Sequence, residues 1–99
     1  MTSYFIFKTD GLTGKTSLVC CGSHNTEEEI GIHWQSYMYG FMDGAHELLG
    51  SDFEMKPGDL PSSFTLIVEN MAKVTYFMLT GDEGPAMVNE ICRQDRITE

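Results

Sequence analysis

The segment from Thr26 to Gly50 constrains the fold of this chain more than any other part of the sequence. Its apolar residues recur three or four positions apart, which is the spacing of a helix with one apolar side. Thr26 and Glu29 have capping-box spacing at the helix start, and Gly50 suits a C-terminal cap. Gly40 leaves open either a kink or close packing of another backbone. The pattern predicts a long helix with Trp34 anchored in the core. The apolar side consists of Ile30, Trp34, Tyr37, Met38, Phe41, Met42, Ala45, Leu48 and Leu49.

Two pairs of segments, one before and one after this helix, have the composition of β-hairpins. Ser3 to Lys8 and Thr16 to Gly22 are rich in aromatic and β-branched residues, and glycine-containing turn residues separate them. Phe64 to Glu69 and Val74 to Thr80 have the same character, with a turn near Asn70 to Lys73. Both pairs are predicted to form antiparallel strands.

The remaining segments complete a single domain. Ser51 to Ser63 contains Pro57, Gly58 and Pro61 and is predicted to be a loop. A short extended segment from Phe53 to Met55 remains open within this loop. Residues 85–96 are predicted to form a terminal helix. The order ββαββα predicts an α+β fold with a four-stranded, mostly antiparallel sheet and both helices on one face. A chain of 99 residues is too short for two cores, so residues 1–99 are expected to form one domain.

The charge balance excludes several classes of function. Fifteen acidic residues oppose six basic ones, which gives a net charge of −9 and disfavours direct binding to nucleic acid or to anionic membranes. No segment approaches the roughly 18 apolar residues of a membrane helix. Three cysteines, two of them adjacent at Cys20 and Cys21, fit reduced thiols better than a disulfide framework. We therefore expect a cytoplasmic protein.

None of the short motifs predicts catalysis, a metal or a cofactor. Gly14-Lys15-Thr16 resembles the end of a phosphate-binding loop, but that loop needs glycine where Thr9 stands and must lead into a helix. Cys20, Cys21 and His24 lack the spacing of a closed zinc site, and buried thiols that pack as small apolar side chains are the preferred interpretation. The chain is expected to be a non-enzyme with no cofactor, and its histidines are expected to be structural.

The acidic residues are unevenly distributed along the chain. From Thr16 to Met55 there are seven Asp or Glu residues and no Lys or Arg. A solvated helix surface normally mixes the two signs, because residues four apart then attract each other. Carboxylates without such partners predict a surface that binds a basic site on another protein. The candidate partner-binding residues are Glu27, Glu28, Glu29, Gln35, Tyr39, Asp43 and Glu47.

The chain resembles the small acidic phage proteins that disable bacterial defences. The likeness lies in its length of 99 residues, its net charge of −9 and its acidic residues, such as Glu28, Asp43 and Glu47, on an α+β scaffold. Anti-CRISPR proteins that mimic nucleic acid are the notable example. The likeness is one of class over the whole chain and includes no shared motif. It implies a non-enzymatic inhibitor in the host cell cytoplasm whose acidic face blocks a basic nucleic-acid-binding site on a defence complex.

Two alternatives remain open from the sequence. The first is a structural or adaptor domain that forms a homodimer or larger homo-oligomer through its sheet edges or its glycine-bearing helix side, with acidity serving only solubility. The second is a small-molecule-binding domain with a pocket lined by Trp34, Tyr37 and Tyr76.

Overall fold

The computed structural model describes residues 1–50, 53–58, 62–68 and 73–98, and the side chains of these residues up to Gln94. The fold is α+β, as predicted, with one antiparallel sheet and two helices. The elements in chain order are β1 (Thr2–Asp10), β2 (Thr16–His24), α1 (Glu27–Leu49), β3 (Phe53–Pro57), β4 (Ser63–Val68), β5 (Lys73–Thr80) and α2 (Glu83–Thr98).

The sheet has the strand order β2-β1-β5-β4-β3, and every neighbouring pair is antiparallel. The first hairpin turns at residues 11–15, where the Asp10 carboxylate accepts a hydrogen bond from the Leu12 N–H at 2.8 Å and Gly14 has a φ of 71°. Only glycine adopts such a φ without steric cost. Because β2 and β3 lie at opposite edges of the sheet, α1 must connect one edge to the other and so runs over the sheet.

The prediction of four strands is wrong, because the described sheet has five. The fifth strand is β3, which pairs with β4 so that Met55 lies opposite Leu66. Proline residues predicted a loop here, but Pro57 is the last residue of an edge strand, where a missing N–H is tolerated. The element order is therefore ββαβββα. The rest of the predicted loop, residues 51–52 and 59–61, and residues 70–72 of the predicted turn lie outside the described residues.

The structure confirms the predicted start and end of α1. The Thr26 hydroxyl accepts a hydrogen bond from the Glu29 N–H at 3.2 Å, and the Glu29 carboxylate accepts one from the Asn25 N–H at 3.3 Å. At the other end, the Gly50 N–H donates to the His46 carbonyl at 3.0 Å. The helix is continuous through Gly40.

The apolar side of α1 packs on the sheet as predicted, with one exception. Trp34 is only 7% exposed, and it belongs to a core cluster with Ile30, Ile6 and Phe64. Leu48, by contrast, is 87% exposed. Helical spacing predicts the direction of a side chain, but whether another element reaches that side chain depends on the tertiary structure.

The two helices lie on opposite faces of the sheet, which corrects the prediction that both cover one face. Tyr4 and Ile6 of β1 pack in the core beneath α1, whereas Phe5 and Phe7 alternate with them and point to the other face. There α2 approaches so closely that a Cβ atom at Gly84 would overlap the ring of Phe5. Phe7 is fully buried on this second face. The sheet thus has an apolar layer on each side.

Candidate acidic binding face

The seven residues predicted to bind a partner all lie on α1, and all are exposed. We call this set the acidic face: Glu27, Glu28, Glu29, Gln35, Tyr39, Asp43 and Glu47. The opposite side of the helix carries Ile30, Trp34 and Ala45, which are buried. The capping interaction at Thr26 and the burial of Trp34 set the start and the rotation of the helix, and so turn these carboxylates toward solvent.

The acidic face is a row along the helix and does not converge on one point. At a rise of about 1.5 Å per residue, Glu28 and Asp43 stand roughly 22 Å apart. Tyr39 lies between them in the chain and is 59% exposed. Gln35 stands at one border of the row, where it lines a groove between α1 and β3. Such a row suits an extended partner surface and cannot form a compact catalytic or metal site.

One carboxylate of the acidic face is engaged within the protein. Glu29 Oε2 lies 3.8 Å from Nδ1 of His24, which forms an ion pair when the histidine is protonated, and the same oxygen accepts the Asn25 N–H. Glu29 therefore has a neighbouring imidazole within the protein, although its segment contains no Lys or Arg. The other four carboxylates are Glu27, Glu28, Asp43 and Glu47, and within the described residues none of them forms an ion pair.

Sequence reasoning missed Ile32 as part of this surface. Ile32 is 59% exposed, and it follows Glu28 by one helical turn on the outward side. Its position outside the apolar spacing of the helix was the available signal, because an apolar residue that falls between the predicted carboxylates must face solvent. With Tyr39 it adds apolar contact area to a charged surface, a mixture that is common in protein interfaces.

A cluster of aromatic and imidazole rings joins the start of α1 to the sheet. The Tyr4 ring centroid lies 5.4 Å from that of His24 and 4.6 Å from that of His33, and the two imidazoles are 5.2 Å apart. Nε2 of His24 is buried and has no hydrogen-bond partner among the residues that the structure describes. Within the described residues, no group of three or more His, Cys, Asp or Glu side chains is placed to hold a metal ion. The cluster positions β2 against α1.

The cysteines differ from the prediction of buried thiols. All three are free, but Cys21 and Cys92 are exposed and only Cys20 is partly buried. Burial raises the pKa of the Cys20 thiol, and the neighbouring Cys21 raises it further. Strand alternation explains the difference, since Cys20 points toward the core beneath α1 and Cys21 points to the opposite face.

The three residues suggested to line a small-molecule pocket pack against other aromatic rings. The rings of Trp34 and Tyr37 are 5.9 Å apart, and Tyr76 packs against Phe41 at 4.8 Å and against Phe64 at 5.2 Å. Burial raises the pKa of both Tyr37 and Tyr76, and the neighbouring Tyr76 and Cys20 raise the pKa of Tyr37 further. Trp34 belongs to the core cluster, and Tyr37 and Tyr76 are partly buried against it. Trp34 also lines the groove between α1 and β3, and Tyr76 lines a separate cavity beside β1.

Comparison of the chain with protein-family models, with curated proteins and with solved structures found no match. Neither helix of the described chain combines the length and the apolar character needed to cross a membrane.

Proposed function

We propose that this protein acts by binding, not by catalysis, and that the acidic face of α1 occupies a basic nucleic-acid-binding site on a larger protein or complex. The observation that carries the proposal is a 23-residue helix with seven exposed candidate residues, of which four carboxylates have no ion-pair partner in the described chain. Unpaired charge of one sign repels nucleic acid and attracts the proteins that bind it.

The linear charge density of the acidic face sets the strength of this mimicry. Five carboxylates from Glu27 to Glu47 span roughly 30 Å, or about one charge per 6 Å, at about 1.5 Å per residue. A single nucleic-acid strand carries about one charge per 3.4 Å. The face thus presents about half the charge density of one strand, and apolar contacts from Ile32 and Tyr39 must supplement it.

The class resemblance to phage anti-CRISPR proteins supports a target of a particular kind. We take the target to be a nucleic-acid-binding defence complex of a bacterial host, with inhibition taking place in the host cytoplasm. The protein then works as a stoichiometric competitor and needs no cofactor.

The proposal is tested by reversing charge on the acidic face. The tagged protein is used to capture its target from a bacterial lysate, and binding of the purified target is then measured for a Glu28→Lys, Asp43→Lys, Glu47→Lys variant. We expect this variant to lose binding while it stays folded, since solvent-facing substitutions usually change stability by less than about 0.5 kcal/mol. Added duplex should compete with the parent protein.

A matched control separates the site from the net charge. The control replaces Glu54, Asp82 and Glu83 by Lys; these are exposed carboxylates outside α1. Each replacement adds two charges, so the control has the same net charge as the face variant, −3 in place of −9. This control should retain most of the binding. Binding of the parent should also weaken steeply with salt, because exposed charges are screened beyond about 8–10 Å. Equal binding by the face variant and the parent, without competition by duplex, would show that the acidity serves solubility only.

A further inference from the structure

Strand β2 is an edge strand that carries no charged residue or proline to prevent edge-to-edge association. It is nine residues long, it pairs only with β1, and its outer side has no partner strand in the described sheet. From Thr16 to His24 it contains no Asp, Glu, Lys, Arg or Pro. An edge of this kind presents a row of backbone N–H and C=O groups that can pair with another strand.

The opposite edge of the same sheet shows the protection that β2 lacks. Strand β3 is five residues long and carries Glu54, Lys56 and Pro57, with Lys56 Nζ 3.7 Å from a Glu54 carboxylate oxygen. Short length, charge and proline are the usual means of blocking an edge. Of the two edges of the described sheet, β2 is therefore the one better suited to strand pairing.

We propose that β2 pairs antiparallel with β2 of a second copy of this chain, which joins two five-stranded sheets into one continuous sheet. The pairing of β1 with β2 shifts register between Ile6 and Phe7. This shift leaves Val19 as a β-bulge that interrupts β2. The regular segment from Cys20 to His24 then forms the seam, because its pairing with β1 is uninterrupted. A two-fold axis at this seam makes the interface self-complementary.

The charge distribution favours a second copy in spite of the net charge of −9. Lys15 precedes β2, and the three carboxylates of Glu27 to Glu29 follow it at the start of α1. Antiparallel pairing brings the basic end of each strand beside the acidic end of the other. The two glutamate clusters lie beyond opposite ends of the seam, which is roughly 13 Å long from Cys20 to His24 at about 3.3 Å per residue. They are therefore farther apart than the screening length of about 8–10 Å. The seam itself contains no Asp, Glu, Lys or Arg.

Such a dimer would place two acidic faces in one assembly, because each α1 begins beside the seam. The inference does not depend on the proposed function, and its test requires no target protein.

The test uses a charge at Cys21, an exposed residue next to the proposed two-fold axis. At such an axis each introduced charge lies near its own copy, so Cys21→Glu and Cys21→Lys should both dissociate the dimer in spite of their opposite signs. An equimolar mixture of the two variants should dimerise again. A partner other than a second copy would distinguish the two signs.

Light scattering coupled to size exclusion, with a reductant present, gives the mass. The parent should have twice the chain mass of 11.1 kDa, each Cys21 variant 11.1 kDa, and the mixture twice this mass. The matched control is Cys92→Glu and Cys92→Lys, since Cys92 is an exposed cysteine on α2; both should remain dimeric. Circular dichroism shows whether the Cys21 variants fold. If one of them does not, Ser23→Glu and Ser23→Lys replace them in the same test. A parent of 11.1 kDa at all concentrations, or dimeric Cys21 variants, would overturn the proposal.

Discussion

Replacement of Trp34 by alanine tests the central packing of the fold. Trp34 is 7% exposed, and its ring lies 5.9 Å from Tyr37 and 5.6 Å from Phe64. A buried tryptophan removes about 200 Å² from water, which corresponds to about 5 kcal/mol at about 25 cal/mol per Å². Measured losses for such truncations are about 3–5 kcal/mol. Since a chain of this size is stable by about 5–15 kcal/mol, the variant should be marginally folded.

The matched control for this prediction is Tyr39→Ala, which removes an aromatic ring from the same helix. Tyr39 is 59% exposed, so its loss should change the free energy of unfolding by less than about 1 kcal/mol, with the higher helix propensity of alanine offsetting part of the lost contact.

Urea denaturation followed by circular dichroism measures both variants at one protein concentration. The concentration is held constant because association stabilises the folded chain. Fluorescence is unsuitable, because Trp34 is the only tryptophan of the chain. Equal stability of Trp34→Ala and the parent, or equal losses in the two variants, would refute the packing of α1 on the sheet.

Three further predictions concern other parts of the molecule. Gly84→Ala should destabilise the protein by about 1–3 kcal/mol in thermal denaturation, because the added Cβ overlaps Phe5. Gly31→Ala is the control, because a Cβ at Gly31 meets open space; it should be neutral or stabilising by up to about 1 kcal/mol. Cys21 should be alkylated faster than Cys20, because burial raises the pKa of Cys20 and lowers its thiolate fraction at neutral pH. The difference between the two alkylation rates should narrow as the pH rises. Mass spectrometry measures both rates, and earlier alkylation of Cys20 would contradict the prediction. Chelator and reductant should leave the melting temperature unchanged, and a loss of several degrees with either would reveal a structural metal or disulfide.

The sequence by itself determined the features that depend on neighbours along the chain. The capping residues Thr26 and Glu29 and the helical spacing around Trp34 predicted α1 with its correct start, end and buried side. The exposed position of Tyr39 followed from the same spacing. These predictions succeed because a cap and a helical period involve residues only a few positions apart, so the local sequence contains all the interacting groups.

Only the tertiary structure decided which elements meet. Residues 53–57 became a strand because β4 offers them an edge, whereas the sequence left open only a short extended piece from Phe53 to Met55 within a predicted loop. The placement of α2 opposite α1 depends on Gly84 fitting against Phe5, a contact between residues far apart in the sequence. The strand order left β2 at one edge of the sheet and placed α1 over the face opposite α2, with the carboxylates of α1 toward solvent. The two hairpins, β1 with β2 and β4 with β5, join neighbouring segments and were predicted from composition. The pairing of β1 with β5 and the docking of the helices are long-range contacts, so neither composition nor periodicity encodes which partner is chosen.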